Sequence, residues 1–576
     1  MTTSPYDSLP SGADNIVQKR TENVGYVEVD LDVPANPTPK PPVKPALKTV
    51  PFEPLPQYSR SNIKNFCGTK EYILPFEESL LVPDTMPDMQ RVLFAEGRAD
   101  PAQPEKTSYS KDDFLAGDIT VYTVYYPVPS GTHSPASGPA AYKDCPIDVV
   151  KSTIPFKTDK CWDDTTGDDF KVSLTVKNIT AEMINERKFA LKGTILIKIT
   201  ETINKELKVF KSVDDDRLIT SSAMITSTGL AHETAETTEI SQDITIREGQ
   251  PSPIKILKEK IRISEVHRQI TSGKLVINGT IHSHVLYLGE TDDGSRKAVS
   301  LSNKTDFTQF IVMDKDADPA LIKLSFNSSD LKVTIENKDK LLLQGNVITH
   351  IQVYENKSVK AISDAYHKSR DILFDVNSDI LSTVKDTVHG EISSREVINL
   401  TDNDKKPARL LCGSCSITSI EASAEKGRVV IEGSMPVKLL ALDDDDMPFV
   451  IEHPVPIRGS LEASSAGRNS ALCIDAAVKD FWFDDINNRQ IEINTTLSIS
   501  IWVCIEETFC TIENLRFAET KESAKKPSMA IYVVGSEDTL WDIAKRYKTD
   551  ILTLAELNGI DPEKPLPEGA KLFIVK

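Results

Sequence analysis

"GKLVINGTIHSHVLY" (Gly273–Tyr287) alternates apolar and polar residues about a central glycine. Ile277, Ile281 and Val285 fall on one face of an extended chain together with Gly279, while His282 and His284 fall on the other. Five further stretches share the pattern, centred on Gly117, Gly193, Gly345, Gly433 and, with a different residue, Thr495. Two places before each centre stand Leu115, Leu191, Ile277, Leu343, Ile431 and Ile493. Two places after stand Ile119, Ile195, Ile281, Val347, Met435 and Leu497. Period two, met six times in one register, predicts long strands with one buried and one wet face. A glycine on the apolar face predicts a close backbone approach, here the crossing of a facing sheet.

Each long strand has an upstream hairpin partner, such as "KVSLTVKNITAEM" or "EKIRISEVHRQI". The six units group in pairs, because a recurrent lead precedes the first, third and fifth and aligns Leu93, Leu257 and Leu411. The expected organisation is a proline-rich arm over 1–58, three β domains at 59–210, 211–396 and 397–522, a linker at 523–529 and a small domain at 530–576. The fold class is mainly β, with sandwich-like domains built from paired long hairpins. "ISDAYHKSRDILFD" (362–375) is compatible with either a covering helix or a strand.

The 576 residues carry a net charge of -19, which argues against nucleic acid and anionic membrane surfaces as partners. No apolar run approaches the roughly 18–20 residues of a membrane span. The first 30 residues show neither a basic start nor an apolar core, so no secretory signal is expected. Eight cysteines are sparse for this length, and synthesis in a reducing cytoplasm is the expectation.

The tail reads differently. Ile531–Val534 is a short apolar strand. "DTLWDIAKRY" places Leu540, Trp541, Ile543, Ala544 and Tyr547 at helical spacing, "DILTLAELNG" gives a second helix, and "KLFIVK" returns as a strand. This βααβ unit resembles the LysM family through Tyr532-x-Val534, Asp538-Thr539-Leu540-Trp541-x-Ile543-Ala544, Asn558-Gly559-Ile560 and Pro567-x-Gly569-x-x-Leu572. The resemblance implies a shallow groove for N-acetylglucosamine polymers, formed here by Glu537, Asp538, Thr539, Leu540, Asn558, Gly559 and Ile560. The family usually has glycine before the Asp-Thr-Leu. Glutamate there adds bulk and charge where a sugar would meet the backbone.

"PDTMPDMQRVL", followed by a glycine-centred strand ending in Tyr125 or Tyr287, resembles the SPOCS domain; Ala441 replaces that tyrosine in the third domain. Several SPOCS domains followed by one LysM are similar to the SipL family of spore coat morphogenetic proteins. The resemblance implies a non-enzymatic assembly protein of the mother-cell cytoplasm that reaches the forespore surface and spore coat. There its LysM unit would engage the basement-layer ATPase SpoIVA, and its SPOCS domains would meet other coat proteins or self-associate. A peptidoglycan-binding structural protein of wall or cortex, or a filament subunit, is the competing expectation.

The sequence holds no phosphate-binding loop, nucleophile elbow or zinc-protease motif. Cys412-x-x-Cys415 lacks a matching second pair, His282 and His284 with His350 read as polar residues on wet faces, and Asp443–Asp446 reads as a hairpin turn. No catalytic residue, metal site or cofactor is therefore expected. "DFWFDD", with Phe481, Trp482 and Phe483, is the densest aromatic spot and a candidate partner patch, with Trp482 facing away from its neighbours.

Overall fold

The computed structural model describes residues 49–52, 56–106, 108–128, 146–167, 169–313, 317–518, 529–562 and 564–575. Most of the expected arm and linker lie outside the described residues. The end of the arm is part of the fold: Thr49–Pro51 pairs with Ala518–Arg516, and Phe52 is buried against Phe517, the ring centroids 4.2 Å apart.

All six alternating stretches are central strands of antiparallel sheets. Three lie in short sheets: Leu115–Pro127 and Lys274–Glu290 in three-stranded ones, and Arg428–Leu442 in a four-stranded one. The other three continue well past the repeated pattern, as Lys188–Ser212, Lys340–His367 and Gln490–Ala518. Each of these is flanked by its upstream hairpin partner and by one more long strand, respectively Gln57–Leu81, Leu218–Thr245 and Ile372–Asn399. One backbone bridge, Asn65 to Gly229, links the long sheets of the first and second sets.

The twelve residues two places either side of the centres are all buried. Within each set the short and long sheets face one another over them, forming a sandwich. Burying one such side chain contributes about 1.5–3 kcal/mol, which holds the register against a one-residue slip.

The sequence 362–375 is strand, turn and strand, because Lys340–His367 ends there and Ile372–Asn399 begins. Ile372–Asn399, expected at the end of the second domain, pairs along its length with Gln490–Ala518. It therefore stands in the long sheet of the third set, and the boundary expected at 396/397 falls inside a strand. Period-two patterning shows that a segment is a strand but not which strand it joins.

The central glycines are explained within their own sheets. Gly193 stands opposite Phe76, Gly279 opposite Phe307 and Gly117 opposite Phe156. A Cβ on Gly279 would sit 2.5 Å from the Phe307 ring, and one on Gly193 2.6 Å from that of Phe76. The glycine gives the cross-strand ring a place to lie. At Gly193 and Gly279 the close approach comes from that ring. At Gly117, Gly345 and Gly433 it is a backbone one, with the carbonyl oxygens of Asp100, Asp330 and Ser419 overlapping the place where a Cβ would stand. In each case the neighbour belongs to the same sheet, or to the turn leading into it, rather than to a facing one.

The three sets share two clusters. Leu257 and Leu411, with half-buried Leu93, meet Val124, Leu286 and Leu440, each seven places after its glycine. At the far ends of the long strands, Phe210, Ile362 and Ile512 are buried in turn, each seventeen places after its centre. Between the short sheets Glu96 accepts from Lys258 at 2.7 Å and Lys260 at 3.4 Å, and Lys260 reaches Ser414 at 3.5 Å. One side chain group from each set thus meets there. The two cations hold the Glu96 carboxyl below the usual carboxylate range in spite of its burial.

Candidate functional site

The tail folds as expected. Strands Met529–Val533 and Lys571–Val575 pair, and helices α1 (Leu540–Tyr547) and α2 (Ile551–Asn558) pack on one side of them. Thr539 caps α1 by accepting from the Asp542 amide at 3.1 Å, and Asp550 caps α2. Gly559 ends α2 at φ +63°, the left-handed conformation that a glycine adopts without strain.

The residues expected to form a groove divide into scaffold and surface. Leu540 is buried in the core, and Ile560 packs against it. Asp538 accepts from the Gly535 amide and the Tyr532 hydroxyl, both at 2.7 Å. These bonds hold its carboxyl below the ordinary aspartate value. Asn558 donates to the carbonyls of Leu554 and Phe573, both at 2.8 Å, and accepts from the Phe573 amide at 2.7 Å. It fastens the end of α2 to the last strand. Glu537, Thr539 and Gly559 are exposed, and only Glu537 has no capping or turn role assigned to it by the geometry.

One side of the unit is fixed to the β body. Trp541 Nε1 donates to Asp364 at 2.7 Å, and Lys545 reaches the same carboxylate at 2.6 Å. Tyr366 packs edge-on against Trp541 and donates its hydroxyl to the Thr549 carbonyl at 2.6 Å. Lys368–Asp550 at 2.9 Å and Lys548–Asp371 at 2.7 Å close the contact. This docking surface lies in the stretch left undecided between helix and strand. A strand reading would have put Asp364 and Tyr366 on one face, which was the available signal.

The docking uses α1 and the turn after it, so the loop 535–539 and the residues after α2 remain exposed. The outer face of the two strands is exposed too, with Met529 and Ile531 opposite Val575 and Phe573.

The aromatic run is largely internal. Phe481 is buried, and the rings of Phe481 and Phe483 lie over Gly413, whose missing Cβ would come within 2.7 Å of both. Trp482 faces away and is 48 % exposed. Trp482 is the most exposed of the three, and Phe483 is half-buried. His282 also departs from the expected wet face: it is buried, with Nε2 3.1 Å from Ser264 Oγ, while His284 Nδ1 lies 2.9 Å from Ser302 Oγ. Among the described residues no group of three His, Cys, Asp or Glu side chains is arranged to hold a metal ion.

Comparison with family models finds a SipL-type SPOCS domain over residues 254–339 and a LysM domain over residues 532–575. Both are binding or structural domains and carry no catalytic machinery of their own. Searches of curated proteins and of solved structures found no match. No described helix is long and apolar enough to cross a membrane.

Proposed function

We propose that this chain, with its SipL-type SPOCS domain and C-terminal LysM domain, is a non-enzymatic assembly protein of the spore coat. In this reading the repeat units run 57–212, 218–367 and 372–518, and their shared clusters make a rigid body. The LysM unit is held at a set angle on that body and engages a SpoIVA-like basement protein through Glu537 and its loop. The β body meets further coat proteins. The place of action is the forespore surface, reached from the mother-cell cytoplasm.

The observation that carries this reading is the state of the LysM loop. Asp538 and Asn558 are committed to internal hydrogen bonds, and Glu537 is exposed at the position where, by the resemblance to LysM modules, a glycine would open the backbone to a sugar. A neutral polysaccharide gains little from an anionic rim, whereas a cationic patch on a protein is steered by it.

The test uses the full chain, mixed separately with SpoIVA assemblies and with purified peptidoglycan, followed by sedimentation. Co-sedimentation with SpoIVA that is lost in Glu537→Lys supports the proposal. Sedimentation with peptidoglycan alone overturns it in favour of a wall or cortex binder.

A further inference from the structure

His282-x-His284 and the aromatic run at 481–483 are far apart in the sequence, yet they line one cleft of about 340 Å³ between the second and third sets of sheets. The even-numbered face of Ser252–Thr271 forms its cationic wall, with Lys258 and Lys260 lining it and Arg262 next along the same face. Lys304 adds a third lining cation from Arg296–Val312, on the far side of Lys274–Glu290 in the same sheet.

The charges here do not balance. Lys258 and Lys260 share the single carboxylate of Glu96, and Lys304 pairs with Asp480 at 2.9 Å. Arg262 Nη1 reaches only the sulfur of Cys415, at 3.8 Å, and its Nε is buried with no hydrogen-bond partner. Three lining cations, Lys258, Lys260 and Lys304, therefore share two carboxylates, with Arg262 just beyond them, in a chain whose net charge is -19. Excess positive charge in a recess of an acidic protein selects an anion. The opposite wall is apolar, made by Leu411, Phe481, Trp482 and Phe483. The volume is near the lower end of small-molecule sites, which run from roughly 300 to 1,000 Å³.

We propose that this cleft is a binding site for a small organic carboxylate with a planar apolar body. The carboxylate is held by Lys260 and Lys304, with hydroxyl donors from Ser300 and Ser302. The planar body lies against the aromatic wall. Because the cleft is shared by two sets of sheets, an occupant joins them and stabilises the body as a whole.

The test is isothermal titration calorimetry of the full chain with isophthalate, with inorganic phosphate as the comparison anion. Isophthalate is expected to bind at one site, raise the melting temperature, and lose at least fivefold in affinity in both Lys304→Ala and Trp482→Ala. Both positions are substantially exposed, at 60 % and 48 %, and Ser302→Ala provides a third, milder variant. No binding at millimolar isophthalate overturns the proposal. So does binding that none of the three variants weakens, which would place it elsewhere. Phosphate binding as tightly as isophthalate also overturns it, because the apolar wall would then contribute nothing.

Discussion

Trp541 Nε1 lies 2.7 Å from Asp364 Oδ2, across 177 positions of sequence. The same carboxylate receives Lys545 at 2.6 Å, so one aspartate at the end of a long strand gathers two groups from one face of α1. Hydrogen bonds to a charged acceptor contribute about 1.5–3 kcal/mol each, and removing the acceptor leaves a half-buried indole donor and an ammonium unanswered. The LysM unit thereby acquires a fixed direction relative to the β body.

Asp364→Ala is expected to loosen this contact without melting the body. Amide hydrogen exchange over 540–550 should accelerate at least tenfold, while the central strands of the sandwiches keep their protection. Unchanged exchange in α1 would show that Tyr366 and the two flanking ion pairs hold the unit unaided.

The pairing of Gly279 with Phe307 makes a coupled prediction. A Cβ at 279 would press on the Phe307 ring at 2.5 Å, and that ring is buried in the core of the second set. Gly279→Val should cost about 1–3 kcal/mol through overpacking, and Phe307→Ala about 3–5 kcal/mol through the cavity it leaves. The double variant should be more stable than the sum of the two losses, because each change relieves the other. Denaturant unfolding of the four proteins measures the coupling. Simple additivity would mean that the glycine serves the backbone rather than the ring.

The strands of the body were legible because their physics is local. Alternation about Gly117, Gly193, Gly279, Gly345 and Gly433 marks both the strand and its buried face, and burial of Ile277, Leu343 and Ile431 follows from it. The tail was legible for a similar reason, with Thr539 and Asp550 as caps and Gly559 as stop. Pairing across long distances was not legible. Nothing within Ile372–Asn399 specifies Gln490–Ala518 as its neighbour, since any alternating strand of that length would satisfy the same rule. The wet face of Lys274–Glu290 misled for the same reason. His282 is polar, yet it is buried with Ser264 of its own sheet as hydroxyl partner, on the border of the cleft between the second and third sets, and a polar residue with a partner is compatible with burial. The candidate site was legible as a location and not as a set of roles, because family spacing marks Asp538 and Asn558 without distinguishing a ligand contact from a structural hydrogen bond.

Burial, aided by the nearby cations Arg262 and Lys260, lowers the pKa of His284 to about 4, and burial lowers those of His282 and His389 as well. The neutral ring is the folded form. Between about 4 and the unfolded value of about 6.5, the unfolded chain binds more protons than the native one. Stability is therefore complete above pH 6.5 and falls as pH drops through that window. The melting temperature should decline from pH 7 to pH 5, and His284→Gln should flatten the decline by removing one of these protons. A slope unaltered by that substitution would assign the pH dependence to other groups.

The division of the LysM loop into scaffold and surface predicts two variants that behave in opposite ways. Asn558 makes three hydrogen bonds that join α2 to the last strand, so Asn558→Ala should destabilise the tail by about 1–3 kcal/mol. Any loss of partner binding should then follow the loss of fold and recover at lower temperature. Glu537 is exposed, so Glu537→Lys should leave the thermal melt within about 0.5 kcal/mol of the parent. Its effect belongs to association: reversing a charge at the rim of a complementary contact lowers the on-rate and inverts its salt dependence. Stopped-flow association with SpoIVA across a range of ionic strengths distinguishes the two variants. A tenfold slower on-rate for Glu537→Lys that converges with the parent at high salt places the contact at this loop, and identical rates at low salt move the contact to another face of the unit.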